Sequence, residues 1–339
     1  MSAAPRTAVL EARAIGKIFP LGGWFARGRR GVHALEDVSL AIGAGETVAV
    51  VGESGCGKTT LGRCLIRLVP PTSGAVLLHG EEVGGILARD PQRFRRAVQI
   101  VFQDPFSSFN PRRTIGQSLD DPLRLHGAGD RATRRERAVA LMAQVGLTAE
   151  HLDRYPHELS GGQRQRVAIA RALAPGPELI ICDEAVSSLD VSVQAQIVNL
   201  LRDIQASTGV AYLFITHNLH LVRRIAHRIV VMYLGQIVET GEASALARRL
   251  VHPYSTALFA AAPRIRRTSG PTVAARPAPL QGEVPSPIDP PSGCRFHTRC
   301  PHARTRCRAE MPALAGVADR LVRCHFAAEI AATGSPPAD

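Results

Sequence analysis

Between residues 7 and 51 the apolar positions come in short alternating or continuous runs punctuated by glycine, the period of strands and turns. The last run, Thr47-Val48-Ala49-Val50-Val51, predicts a buried strand from its β-branched content. A glycine-rich stretch follows. Residues 59–68 then carry a helical pattern that stops at Pro70-Pro71. From about Asn110 to Gln163 the chain turns charged and helical. The run RATRRERAVALMAQVG places apolar residues at helical spacing and ends on Gly146, a C-cap. Strand patterns return at 179–182, 210–215 and 228–233. The sum is an α/β core with a helical insertion. Residues 263–292, rich in proline and arginine, predict a linker, and 293–326 form a small cysteine-bearing segment. No internal repeat is present.

Composition narrows the class. The 339 residues are 45% hydrophobic with a mean hydropathy of +0.02, enough to bury a sizeable core. No stretch reaches the roughly 20 apolar residues of a membrane span. The N-terminal residues lack a signal-peptide core, so a cytosolic protein is expected, with a peripheral seat on a membrane partner left open. The formal charge of +12 is almost all arginine, the lysines being Lys17 and Lys58. The basic residues are scattered apart from short runs at 131–137 and 264–267, and aromatics are 4%. Stacking platforms for single-stranded nucleic acid are therefore scarce, and no nucleic-acid partner is expected.

Three motifs carry chemistry. Gly52-Glu53-Ser54-Gly55-Cys56-Gly57-Lys58-Thr59 fits G-x-x-x-x-G-K-[ST] at every fixed position, between a strand and a helix. Its glycines let backbone N–H groups converge on phosphate oxygens, and the helix adds its positive end. Lys58 is expected to reach the β- and γ-phosphates and Thr59 to place its hydroxyl on Mg²⁺. Residues 179–184, LIICDE, form an apolar strand ending in two acids. Alone that is a strand with solvated ends. Beside a phosphate loop, Asp183 is expected to hold Mg²⁺ and Glu184 to take a proton from attacking water. In Leu159-Ser160-Gly161-Gly162-Gln163, Ser160 caps a helix and two glycines expose N–H groups, a second anion-binding helix start.

With these motifs in this order, residues 7–262 resemble the ATP-binding-cassette (ABC) ATPases, and LSGGQ looks like their signature motif. The resemblance implies a phosphate-loop ABC core with an antiparallel β subdomain, a helical subdomain at about 104–165 and a small cysteine-containing C-terminal extension. It implies that Phe19 stacks on adenine and that Gln103, in VFQDP, touches Mg²⁺ and water. Residues Gly52 through Thr60 (the motif plus Thr60) then hold ATP. Ser188-Leu189-Asp190 resembles the dimer-contact loop, and His217, in ITHN, the histidine that contacts the γ-phosphate. Asn218 stands where an aspartate is usual, a departure that should not abolish chemistry. Lys58, Gln103, Glu184 and His217 are the implied catalytic set. Members of the family close two cassettes head to tail around two ATP molecules. Ser160, Gly161, Gly162 and Gln163 would then serve the partner's nucleotide in trans.

FQDPFSSFNPR, RYPHELSGGQRQRVAIARAL, CDEAVSSLDVSVQAQIVNLL, VMYLGQIVETG and HPYSTALFAAAP resemble the oligopeptide/dipeptide importer branch, in its second, F-type cassette. The tail EVPSPIDPPSGCRFHTRCPHA is similar to that branch's C-terminal extension. The branch implies a paralogous cassette as heterodimer partner, two membrane permease subunits and an external binding protein, on the cytoplasmic face of the bacterial inner membrane. Di- or oligopeptide is the implied cargo; nickel, opine and glutathione importers share the extension. Four of the seven cysteines, Cys294, Cys300, Cys307 and Cys324, lie in it. Four thiolates can hold an iron–sulfur cluster or zinc, and some members of the branch are associated with a [4Fe–4S] cluster. No C-x₂-C pair is present, which weakens zinc and leaves a packing role for free thiols open. Cys64 and Cys182 read as small buried hydrophobes. A soluble ABC protein acting on nucleic acid is the rival class. Such proteins usually carry two cassettes or a long insert, and this chain has one cassette and a short helical insertion.

Overall fold

The computed structural model describes residues 8–21, 31–104, 108–187, 189–261 and 282–333. Ser188 and residues 263–281 of the expected linker lie outside the described residues.

Along the chain the strands are β1 (Ala8–Pro20), β2 (Gly31–Gly43), β3 (Thr47–Val51), β4 (Ser73–Leu78), β5 (Glu81–Glu82) and β6 (Val98–Val101). They continue with β7 (Leu179–Asp183), β8 (Ala211–Ile215), β9 (Arg228–Tyr233), β10 (Gln236–Glu242), β11 (Ala315–Val317) and β12 (Arg320–Val322). The helices are α1 (Lys58–Leu65), α2 (Val83–Arg89), α3 (Pro91–Ala97), α4 (Ile115–Leu125), α5 (Arg131–Gln144) and α6 (Gly161–Leu173). After them come α7 (Val191–Thr208), α8 (Leu219–Ile225), α9 (Ala243–Arg248), α10 (Pro253–Ala261), α11 (Thr305–Ala309) and α12 (Ala327–Thr333). None is long and apolar enough to cross a membrane, among the described residues.

β1 and β2 are 13 residues each, longer than the short runs that the alternation predicts. Ala14 and Asp37 take positive φ inside them, 47° and 50°, so the inside–outside alternation slips mid-strand and reads as two runs. These strands form a four-stranded sheet in the order β2-β1-β4-β5.

The chain divides into two compact units. The first draws on the described residues within 1–12, 40–48 and 75–216. Within it β6, β7 and β8 run parallel, with Val101 opposite Cys182 and Asp183 opposite Ile215. β7 and β8 are buried at every position, which explains their unbroken apolar sequences. The helical insertion, α4, α5 and α6, packs on itself. Local chemistry sets its boundaries. Thr114 and Gln117 form a capping box on α4, Asp130 caps α5 through the Thr133 N–H at 2.9 Å, and Gly146 turns out of α5 with φ 71°.

The second unit draws on the described residues within 13–39, 49–74 and 217–339. Its strands stand in the order β3-β9-β10-β12-β11, so the tail extends the sheet edge at β10. Its core joins Val51, Val231, Tyr233, Tyr254 and Phe296, and Phe296 from the tail is 1% exposed. The helix expected over 59–68 ends at Leu65. Arg67 takes φ 59°, and the Leu68 and Val69 N–H groups turn back to the Arg63 carbonyl at 3.0 and 3.2 Å. This left-handed closure stops α1 before Pro70 can.

Candidate functional site: two phosphate-type helix starts and an acidic strand end

The phosphate loop follows the buried strand β3 and opens α1. Gly57 is the helix N-cap with φ 103°, and no side chain caps the helix. A Cβ at Gly57 would run into the Ala34 carbonyl oxygen, and one at Gly52 into that of Met232. Glycine is therefore required by contact as well as by torsion. Lys58 is 5% exposed, and its Nζ donates to the carbonyl oxygens of Gly52 at 2.9 Å and Glu53 at 2.8 Å. The lysine thus lies folded along the inside of its own loop. Cys56 is buried beneath it, and burial pushes its thiol pKa up, with Lys58 acting against that. Ser54 and Gly55 are exposed at the crest, while Thr59 and Thr60 are half-buried. Phe19, near the end of β1, is 38% exposed, with Lys17 Nζ 5.0 Å from its ring centre.

Two residues that hold the loop were not anticipated. The Glu53 N–H donates to Tyr254 Oη at 2.8 Å. The Glu53 carboxylate accepts both arms of Arg299, at 2.8 and 3.1 Å. No local pattern announces either partner: they stand 201 and 246 positions away.

In the first unit, Gln103 and the acid pair leave the same sheet edge. β6 and β7 are parallel neighbours, Gln103 lies two residues beyond Val101, and Asp183 ends β7. Asp183 is buried, whereas Gln103 is exposed and Glu184 half-buried. Glu184 takes φ 48°, an uncommon conformation for a non-glycine residue, and its N–H donates to the Ile215 carbonyl at 2.9 Å. The chain is thereby turned sharply at the residue expected to act as base.

The second helix start belongs to α6. Ser160 Oγ accepts from the Gln163 N–H at 3.2 Å and Gln163 Oε1 accepts from the Ser160 N–H at 2.9 Å, a capping box. Ser160 is exposed and Gly161, Gly162 and Gln163 half-buried. The glycines also serve packing: a Cβ on Gly162 would sit 2.8 Å from Val193 Cγ1 and one on Gly161 3.4 Å from Leu189 Cδ2. His217 is exposed at the head of the segment leading into α8. Asn218 caps that helix, its Oδ1 accepting from the His220 N–H at 3.1 Å, so asparagine meets the local structural need of that position.

All seven cysteines are free. Cys64 and Cys182 are fully buried, as expected of small hydrophobes. Cys294, Cys300, Cys307 and Cys324 line one cavity with His252 and Phe296. Its volume is about 20 Å³, room for about one water molecule. Burial pushes the Cys300 thiol to about 12 and Cys324 to about 11 in the metal-free chain. No three His, Cys, Asp or Glu residues are placed to hold a metal ion, among the described residues. The expected [4Fe–4S] cluster or zinc ion is therefore not supported among the described residues, and the tail cysteines stand as a close-packed group of thiols.

Residues 35–187 match the ABC transporter family, and residues 238–307 match the oligopeptide/dipeptide transporter C-terminal region. The probable peptide ABC transporter ATP-binding protein y4tS of Sinorhizobium fredii is 52% identical, covering 97% of this chain and 93% of its own. The di/tripeptide transport ATP-binding protein DppF of Pseudomonas aeruginosa is 46% identical over 94% of this chain and 98% of its own. Among solved structures, the dimeric, post-hydrolysis ATP-binding cassette MJ0796, bound to ADP and Pi, aligns with a TM-score of 0.61 and 29% identity. That alignment covers 69% of this chain and 98% of MJ0796. The chain belongs to the ABC transporter family as an ATP-binding subunit, and its activity is ATP hydrolysis coupled to transport.

Proposed function

We propose that this subunit powers the import of di- or oligopeptides through membrane permease partners. The observation that carries the reading is the pair of helix starts: a phosphate loop at α1 and a glycine-bearing, self-capped start at α6. One nucleotide site needs one phosphate loop. A second exposed helix start on the same chain suits a head-to-tail dimer in which each chain serves its partner's nucleotide. The names of the peptide-transport relatives and the match over residues 238–307 support the cargo class.

In this reading residues 52–60 cradle the phosphates, Lys58 moves from its loop carbonyls to the β- and γ-oxygens, and Phe19 stacks on the base. The Thr59 hydroxyl, the Gln103 amide and the Asp183 carboxylate are hard oxygen donors suited to Mg²⁺. When bound, the ion neutralises phosphate charge. Glu184 orients the attacking water and takes its proton, and His217 contacts the γ-phosphate. Ser160, Gly161, Gly162 and Gln163 close over the partner's nucleotide, so that donors converge on the γ-phosphate only in the shut dimer. The partner cassette is a paralogue, an external binding protein delivers cargo, and the subunit sits peripherally on the cytoplasmic face of the membrane. The domain limits that go with this reading are 7–262 for the cassette, with its helical part at about 104–165, a linker over 263–292 and the extension at 293–326.

The test is ATPase of the complex reconstituted in vesicles with its permeases and binding protein. Stimulation by di- or oligopeptides is expected. Stimulation by nickel, an opine or glutathione in place of peptide would replace the cargo assignment.

A further inference from the structure

Glu53, the second residue of the phosphate loop, is engaged at every polar group. Its N–H is held by Tyr254 Oη at 2.8 Å, and its carbonyl oxygen accepts Lys58 Nζ at 2.8 Å. Its two carboxylate oxygens take the two arms of Arg299 at 2.8 and 3.1 Å. Such a fork fixes orientation as well as distance. The Arg299 side chain is 5% exposed, against 25% for Glu53, so solvent screens the pair poorly. The hydrogen bonds to Glu53 hold the guanidinium proton more tightly than usual. Arg299 is itself anchored. Its N–H donates to the Phe296 carbonyl at 3.0 Å, and Phe296 packs edge-on against Tyr233, ring centres 5.2 Å apart, and against Tyr254 at 5.5 Å. The guanidinium carbon lies 5.8 Å from the centre of the Tyr233 ring.

A carboxylate in a loop that receives a triphosphate is an electrostatic liability. Unpaired, it repels phosphate oxygens, and in a partly buried site that repulsion is stronger than in water. Arg299 cancels the charge and restrains the residue whose carbonyl holds Lys58.

We propose that Arg299 is a positioning residue for the phosphate loop. It locks Glu53, neutralises it, and so lets the cysteine-bearing C-terminal segment set the loop's affinity for nucleotide phosphates. The proposal rests on the reading of residues 52–59 as the ATP loop.

The experiment measures binding of a fluorescent ATP analogue with Mg²⁺ to the purified full chain, and KM and kcat of the assembled transporter. Arg299→Ala leaves Glu53 charged and unpaired, and affinity should fall about tenfold or more. KM should rise while kcat changes little. Adding Glu53→Gln to Arg299→Ala removes the repulsion and should restore affinity to within about threefold of the parent chain. Urea unfolding of the same variants is read alongside: affinity that falls and recovers only in step with stability overturns the positioning role. Arg299→Lys keeps the charge without the fork and should fall between the two. Should Arg299→Ala fail to fold, Arg299→Gln keeps the stem packing and carries the same test. Unchanged affinity in the Arg299 variant overturns the proposal, and so does a double variant as weak as the single one. Lys58→Ala is measured in parallel: if it binds like the parent chain, the ATP-loop reading itself falls, whatever Arg299 does.

Discussion

At the start of α1 a left-handed glycine stands as N-cap and makes no side-chain cap. At the start of α6 Ser160 and Gln163 satisfy each other across three residues. The α1 loop is held instead by Tyr254 and Arg299, partners more than 200 positions away. One helix start is thus self-contained, and the other takes its shape from the unit around it. The lesson concerns what each must do. In the proposed dimer the α6 start would approach another chain's nucleotide and would have to keep its form before that nucleotide arrives, which a local capping box allows. A start that wraps phosphates must leave its amides uncapped, so its rigidity has to come from elsewhere.

The contrast can be broken or sharpened experimentally. The largest effect should come from Glu184→Gln, which separates the nucleotide-holding elements from the chemical step. Turnover of the assembled transporter should fall roughly 10²- to 10⁴-fold while ATP still binds. Single-turnover hydrolysis at the parental rate would remove Glu184 as base. Next, Lys58→Ala should weaken nucleotide binding by about 100-fold, as a charge-assisted contact to phosphate is lost. Parental affinity in a titration calorimeter would mean that the α1 loop is not where phosphate binds.

A smaller effect follows from pH. His252 is fully buried and its Nδ1 accepts from the Tyr254 N–H at 3.1 Å. Burial depresses its pKa from 6.5 to about 3. The unfolded chain takes up this proton below about pH 6.5 and the folded chain does not. The stability that neutral His252 allows is therefore present above pH 6.5 and declines as pH falls toward 3. At pH 5.5 the loss should be about 1.4 kcal/mol. Urea unfolding at pH 7.5 and 5.5 should show a gap that narrows in His252→Gln. An equal gap in both proteins would clear His252 of the effect. The weakest effect belongs to the self-contained start: Ser160→Ala should cost about 1 kcal/mol or less, read as faster amide exchange in the first turn of α6. Unchanged exchange there would show that the capping box does not stabilise that start.

Legibility in the sequence followed the range of the forces involved. The α/β core, the helical insertion, the Ser160 cap and the Gly146 stop depend on contacts within a few residues, and each was readable. So was the phosphate loop, whose torsions and spacing are local. Helix α1 ends three residues before the helical pattern does because Arg67, an ordinary residue, takes the left-handed conformation that closes it. β1 and β2 looked broken because Ala14 and Asp37 shift the alternation. Helices α2 and α3, seven residues each, are too short for a helical period to stand out in the sequence. The four tail cysteines are scattered along the chain, yet the folded tail brings them around one cavity of about 20 Å³. Their spacing along the chain carried no information on that volume.

By itself the sequence determined the family, the nucleotide chemistry and the order of the motifs, because each motif is a short segment whose backbone and side chains act on their immediate neighbours. Only the tertiary structure decided what holds the phosphate loop in place. Glu53, Tyr254 and Arg299 carry no signal as separate letters, and Arg299 is one arginine in an arginine-rich chain. Their relation is electrostatic and steric, set by the packing of Phe296 and Tyr233, and it exists only once the C-terminal segment is folded against the core of its unit.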